Sequence, residues 1–476
     1  MKTTPRKAHA KPPLYALAGL AAMLLMQSVT HAQAPAGAVP AAPPPAAPPP
    51  AAQTPPDDSA DDTTTIDPFA SIKDLEARLE QTRQLVVGRQ PRVVVGGYID
   101  LGFFVPQGDG SGLLRDSGHT LFPQYSDYGW VMVGDILSTA VNSRGEIADQ
   151  GVEATGAVPR FDSVHSRGAP GFIANEVNLT LTSGLGETAI ATASVNFVPR
   201  TGSNFQLGDF LDVDLAQLEW MPTKSQRTSI FVGKFDSVLG IEYRERKAAQ
   251  RFGITPSLIA RYTTGTALGL KVRHKMGDND LFVIAGAVTN GSFTTEQFHF
   301  YNEIDTNAGK TLSGRMSLHP PLPFELEVGM SGSWGSQDRA RSSDHAMWFF
   351  GPDLMLHFET VDVKVAWLKG AAPGDPLDDV YGLNLHGGGY AEVDWMITPL
   401  FGVLGRGEYR DALVWLDADP ADNRLYITKS WRGTGGVRVA FSDRIVFKAE
   451  YLHNGEYGGI PQIKNDVFTT SLVLIN

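Results

Sequence analysis

The chain has 476 residues, 42% of them hydrophobic, and no cysteine, so neither disulfides nor a lipidated cysteine can stabilise or anchor it. Its length suits one large β-barrel, and no run of about 18 apolar residues follows the N-terminal segment, which excludes helical membrane spans beyond it. A formal net charge of -12 argues against a general nucleic-acid binder, which needs a basic surface.

Residues 1–32 read as a signal peptide. "MKTTPRKAHAKPP" is the basic region, "LYALAGLAAMLLM" the apolar stretch and "QSVTHAQA" the small-residue cleavage region, with the cut expected after Ala32. Residues 33–67 are a Pro/Ala-rich linker whose prolines favour extended, disordered chain. Over 68–90, Ser71 is placed to cap a short amphipathic periplasmic helix, with Ile72, Leu75, Leu79, Thr82 and Val86 at helical spacing.

From 91 to 476 the pattern changes to alternation with period two, the period of a strand. In "TALGLKVRHK", Leu268, Leu270 and Val272 fall on one face, and Lys271, Arg273 and Lys275 on the other. Such segments begin near 92, 171, 187, 209, 228, 266, 279, 311, 323, 346, 361, 383, 400, 430, 444 and 466, about 16 in all. The stretch "YGWVMVGDIL" within 106–170 is a candidate hairpin that would make about 18. Short connections ("SGLGE", "MGDND", "PPLP", "ET", "TP", "SD") alternate with long ones (106–170, 236–265, 289–310, 412–429, 455–465). Short turns at one end and long loops at the other are expected of an outer-membrane barrel. The fold class is therefore all-β, a closed antiparallel transmembrane barrel.

A soluble sandwich also alternates, with a polar outer face. Two features separate the cases. Phe324, Trp334, Trp348, Phe358, Trp367 and Trp395 sit on the apolar face near strand ends, where interfacial girdles belong. The other face is rich in glycine and in charge of both signs. Lipid offers no hydrogen-bond partner, so the backbone must close on itself and outward side chains must be apolar.

The cations Lys271, Arg273, Lys275, Arg315, Lys364, Arg406, Arg410, Arg432, Arg438 and Lys448 then fall on inward positions. So do Asp212, Asp214, Glu325, Glu327, Asp362, Glu392, Asp394, Glu408 and Glu450. We take Lys234, Lys271, Arg273, Lys275, Arg315, Arg406 and Arg438 as the candidate pore wall. The third long loop, "FDSVLGIEYRERKAAQRFGITPSLIARY", carries Glu242, Arg244, Arg246, Lys247, Arg251 and Arg261. Folded into the lumen, this basic segment would form a constriction and favour anions.

"FVGKFDSVLGIEYRE", "ITPSLIARY" and "GTALGLKVR" resemble the outer-membrane OmpL-like (porin-2) β-barrel family, through Gly233, Lys234, Phe235, Gly240, Glu242, Pro256 and Ser257. The resemblance is close over 230–275 and a matter of pattern elsewhere. It implies a pore for small polar or anionic solutes, similar in plan to general and phosphate-selective porins, with its third loop inside and a homotrimeric assembly. The chain ends in Asn476 rather than the aromatic residue common in such barrels.

Other motifs lead nowhere. Gly309-Lys310-Thr311 lacks the earlier glycine of a phosphate loop, since Ile304 stands there. Asp417, Asp419 and Asp422 lack the central glycine and late glutamate of a calcium loop. Ser342, Ser343, Asp344 and His345 are adjacent in sequence rather than spatially grouped, and Ser331, Ser333 and His357 have no defining spacing. No enzyme, metal or cofactor is expected. The sequence reads as a diffusion porin in outer-membrane lipid; the alternative is a plugged structural or adhesive barrel, with 106–170 as the candidate plug.

Overall fold

The computed structural model describes residues 93–106, 171–197, 211–223, 225–294, 307–337, 340–375, 382–415, 429–457 and 466–476. The expected signal peptide, linker and helix, "YGWVMVGDIL" and "DADPADN" lie outside the described residues. The strands in chain order are β1 (Val93–Pro106), β2 (Gly171–Gly184), β3 (Ala189–Phe197), β4 (Leu211–Trp220), β5 (Thr228–Asp236), β6 (Thr266–Met276), β7 (Phe282–Thr289) and β8 (Thr311–Leu318). They continue with β9 (Glu325–Ser336), β10 (Ala346–Phe358), β11 (Val361–Ala372), β12 (Gly382–Met396), β13 (Phe401–Trp415), β14 (Lys429–Ser442), β15 (Ile445–Glu456) and β16 (Val467–Ile475). Each begins within three residues of the start expected from alternation, the largest offset being β7 at Phe282.

Every strand pairs antiparallel with its chain neighbours, and β1 pairs with β16, closing a sixteen-stranded barrel. The seam runs from Tyr98 opposite Ile475 to Pro106 opposite Val467. Because β1 also pairs directly with β2, the ring has no room for a further hairpin between them, and the larger barrel falls.

Side-chain parity is inverted relative to a protein dissolved in water. On β9, Val328, Met330 and Trp334 are exposed while Glu327, Ser331 and Ser333 are buried. On β6, Leu270 and Val272 are 45% and 39% exposed, and Lys271, Arg273 and Lys275 are half-buried on the opposite face. A soluble sandwich would bury those leucines and valines and expose the carboxylates, so that reading falls too. Outward aromatics gather in two belts. Phe172, Trp334, Trp348, Trp431 and Phe468 lie toward the long-loop end, and Trp220, Phe282, Phe358, Trp395 and Phe441 toward the short-turn end. Amphipathic rings at both interfaces are what a bilayer selects.

Tight turns close the other end. Gly277, with φ of 79°, allows the abrupt bend between β6 and β7. An apolar cluster of Phe231, Phe235, Val238, Leu239, Ala267, Ala287 and Phe293 sits at the root of the β5–β6 connection and fixes where that loop leaves the wall.

Replacing Leu270 by Arg should destabilise the barrel by about 2–4 kcal/mol in lipid vesicles, the cost of a cation at a lipid-facing position. Urea unfolding checks this; an unchanged midpoint would mean that Leu270 does not face hydrocarbon.

Candidate functional site

A sixteen-stranded ring with strands about 4.8 Å apart and tilted about 40° is roughly 30 Å across between backbones. Arginine and lysine side chains extend only about 6–7 Å, so opposite walls cannot meet through side chains. The β5–β6 connection, residues 237–265, spans the gap. Its adjacent residues Glu245 and Arg246 bond to nearly opposite walls: Glu245 to Lys364 on β11 at 2.5 Å, and Arg246 to Asp214 on β4.

From 253 to 264 every residue of this loop is buried. The segment makes one short 3-10 helix, Ala260–Tyr262, and is otherwise irregular, so its peptide groups need partners from elsewhere. Charged wall residues supply them. Glu450 on β15 accepts from the Ile254 N–H at 2.6 Å, the Thr255 N–H at 3.1 Å and the Thr255 hydroxyl at 2.8 Å. Glu408 on β13 accepts from the Leu258 N–H at 2.5 Å. Arg406 donates to the Thr255 carbonyl at 2.9 Å, and Arg432 to that of Pro256 at 2.7 Å. Lys448 donates to the carbonyls of Ala248, Arg251 and Gly253. Gly253 is needed for this approach, because a Cβ there would lie 2.2 Å from the Glu450 Oε1 atom.

The first half of the loop is held by ion pairs. Arg244 makes a fork to Glu327 on β9 at 2.7 and 2.9 Å. Arg246 also reaches Asp236 at 2.7 Å, and Lys247 reaches Asp214 at 3.1 Å and Ser194 at 2.8 Å. The two halves are stapled together where the Ser257 N–H and hydroxyl donate to Glu242 at 2.7 and 2.6 Å. Glu242 and Ser257 are two of the residues that carry the resemblance to OmpL-like barrels, and here they bond each other.

Three expectations are corrected. Arg251 donates to the carbonyls of Glu245, Arg246 and Ile254, tying the loop internally, and Arg261 is 0% exposed, so both serve the loop's own packing. Arg244, Arg246 and Lys247 are each matched by carboxylates, so the loop is not the unbalanced basic segment its composition suggests. On the wall, Arg315 bonds Glu327 at 2.7 Å and Asp353 at 2.5 Å, and Arg406 bonds Glu392 and Glu408 at 3.0 Å each. Arg273 faces Glu219 at 3.4 Å and Lys275 faces Asp280 at 2.8 Å. Lys271 donates to the Asp236 carbonyl at 2.9 Å, and Arg438 to that of Arg251 at 3.3 Å. Lys234 is the third correction: it is in register with exposed Ala216 and half-buried Leu268, between inward Phe231 and Phe235, so it does not share the inward row.

Parity alone places Lys364, Arg432, Lys448, Glu408 and Glu450 inward, yet all but Lys364 bond backbone atoms of the loop, for which no side-chain pattern exists. Between loop and wall remain cavities of about 10 Å³, room for one water each; one is bordered by Glu242, Glu245, Lys364, Tyr390, Glu392 and Arg406.

The loop's titratable groups feel this crowding. Burial pushes the Glu242 carboxyl above the usual carboxylate range, outweighing the two Ser257 bonds. Burial also works to raise the Tyr243 phenol, but the cations of Arg244, Arg315 and Lys271 outweigh it and hold the phenol below its ordinary value.

No family model matches the chain, and no curated protein matches it. Solved structures do. The outer membrane channel DcaP of Acinetobacter baumannii aligns over 82% of this chain and 100% of its own, at 9% identity and a TM-score of 0.50. The chain has the fold of an outer-membrane channel. The anion-selective porin from Comamonas acidovorans (8% identity, TM-score 0.47, 81% and 100% covered) and OmpT of Vibrio cholerae (7%, 0.45, 82% and 100%) also match.

Two outcomes follow. Lys364→Met strands the carboxylates of Glu245, Glu392 and Asp394 and should cost about 3–5 kcal/mol in denaturant unfolding; a loss below about 1 kcal/mol would show these groups to be solvated rather than paired. For Glu242 the folded-state pKa is raised, so its contribution to stability is present below the ordinary glutamate range and lost as pH rises through the folded value. Glu242→Gln should therefore flatten the pH dependence of stability and gain on the parent as pH rises, checked by unfolding midpoints from acid to neutral pH.

Proposed function

We propose that the barrel is a passive diffusion pore of the bacterial outer membrane for small hydrophilic solutes, with residues 236–265 as its constriction. The observation that carries the reading is a closed ring with an inward polar wall, crossed by a loop that is packed on one side and leaves solvent-reaching groups on the other. Thr180, Thr182 and Thr192 on β2 and β3, with Lys271 and Arg273 on β6, face inward and remain half-buried rather than buried. The Glu242–Ser257 staple supports placing the chain with OmpL-like barrels, since it gives two residues of that resemblance a shared structural job. On the same resemblance we propose a homotrimer, and export directed by residues 1–32.

A second reading has one observation in its favour. The complete burial of 253–264 and the water-sized cavities beside the loop are what a plugged structural barrel would also show. Planar-bilayer recording separates the two. A pore gives discrete conductance steps in the parent, and deleting residues 243–258 raises each step severalfold. A parent that inserts silently, with current only after the deletion, supports the plug. Silence in both would end the pore reading.

A further inference from the structure

The ion-pair pattern identifies which charges a passing solute meets. A pair with charges about 3 Å apart presents, from roughly 8 Å, at most about a third of the potential of a lone charge. Arg273, Lys275, Arg315, Lys364, Arg406 and Arg432 on the wall are cancelled in this way, as are Arg244, Arg246 and Lys247 of the loop, while Lys448 is buried against three loop carbonyls. Lys271 and Arg438 differ. Both point inward and are half-buried, and among the described residues neither has a carboxylate within ion-pair distance.

Among the described residues their surroundings supply no neutralising carboxylate. The Lys271 ammonium lies 4.6 Å from the Phe231 ring centroid and 4.8 Å from that of Phe235, with a backbone carbonyl as its hydrogen-bond acceptor. The Arg438 guanidinium lies 5.6 Å from the Phe252 centroid and also bonds a carbonyl. Ring faces and carbonyls supply partial negative charge only, so the full unit charge remains visible from the lumen. In contrast, Asp100, Glu242 and Glu450, which lack a paired cation, have hydroxyl or N–H donors on their carboxylates inside the loop–wall contact. β6 and β14 stand eight positions apart in the ring of sixteen, on opposite walls.

We propose that Lys271 and Arg438 set the charge preference of the pore, drawing small anions, while the paired cations of the loop contribute little to it. This rests on the pore reading above. One elementary charge at about 6 Å in water changes local anion concentration by about three-fold, so the pair accounts for up to about a ten-fold anion-to-cation preference at low salt. That preference should fade as the screening length falls below the lumen radius.

The test is reversal potential in bilayers across a potassium chloride gradient. Lys271→Gln with Arg438→Gln should lower the anion-to-cation permeability ratio about ten-fold. The chain has no cysteine, so Lys271→Cys can be modified in an inserted, conducting channel, where folding no longer enters. A cationic thiol reagent should restore the parent ratio and an anionic one should push it toward cations. A ratio unmoved by the double substitution or by the reagents, in a channel that still conducts, would overturn this inference and leave the pore reading standing. A parent that inserts without conducting would overturn the pore reading itself.

Discussion

A peptide group in hydrocarbon has no water to bond, and each unsatisfied N–H or carbonyl costs several kcal/mol. Closure of the ring between β1 and β16 is the answer to that constraint, and everything else depends on it. Once the backbone is saturated by its neighbours, the two faces of each strand see different solvents. Leu270 and Lys271 can then be consecutive without conflict, since the pleat sends one to lipid and the other to the lumen.

The same constraint returns inside the barrel with the roles exchanged. Residues 253–264 bring irregular backbone into a place from which most water is excluded, and their peptide groups again need partners. No neighbouring strand is within reach, so charged wall side chains do the work. Glu450 takes two N–H groups and a hydroxyl, and Lys448 serves three carbonyls. Bonds of this kind to charged groups are individually worth about 1.5–3 kcal/mol, and several act in parallel along one short stretch. The wall charge that composition presents as lining for a solute is largely the solvation shell of the loop.

This division also explains what was legible in the sequence. A period of two needs no tertiary knowledge, so strand positions, the sixteen-strand count and the lipid-facing rows could be read directly, as "TALGLKVRHK" illustrates. Inwardness of Arg406, Glu408 and Lys448 followed from the same parity. Their partners did not follow, because they are carbonyls and N–H groups of residues such as Thr255 and Pro256, and a backbone group carries no letter of its own. Pairing was hidden for a related reason. Arg246 and Asp214 lie far apart along the chain, and only the path of the loop across the lumen brings them together. Strict alternation puts Lys234 on the Ile230–Val232 side of β5, and its burial there comes at a distortion of the strand: Gly233 has φ of 120°, and a Cβ there would lie 2.1 Å from the Ala216 carbonyl oxygen.

The loop's mode of attachment bears on how permissive the channel is. Carbonyl and N–H acceptors and donors are present at nearly every residue, so along 253–258 the wall charges constrain the loop's path more than its side-chain identities; Gly253, close to Glu450, and the hydroxyls of Thr255 and Ser257 are exceptions. Among the described residues, the loop's β9–β13 side is packed against the wall with cavities of about 10 Å³, room for single waters. On the side bounded by β2 to β6, the inward Thr180, Thr182, Thr192, Lys271 and Arg273 stay half-buried rather than buried. On the proposed pore reading, a lumen built on these terms filters chiefly by width, with its charge preference set by the few cations that the architecture of the loop leaves uncancelled.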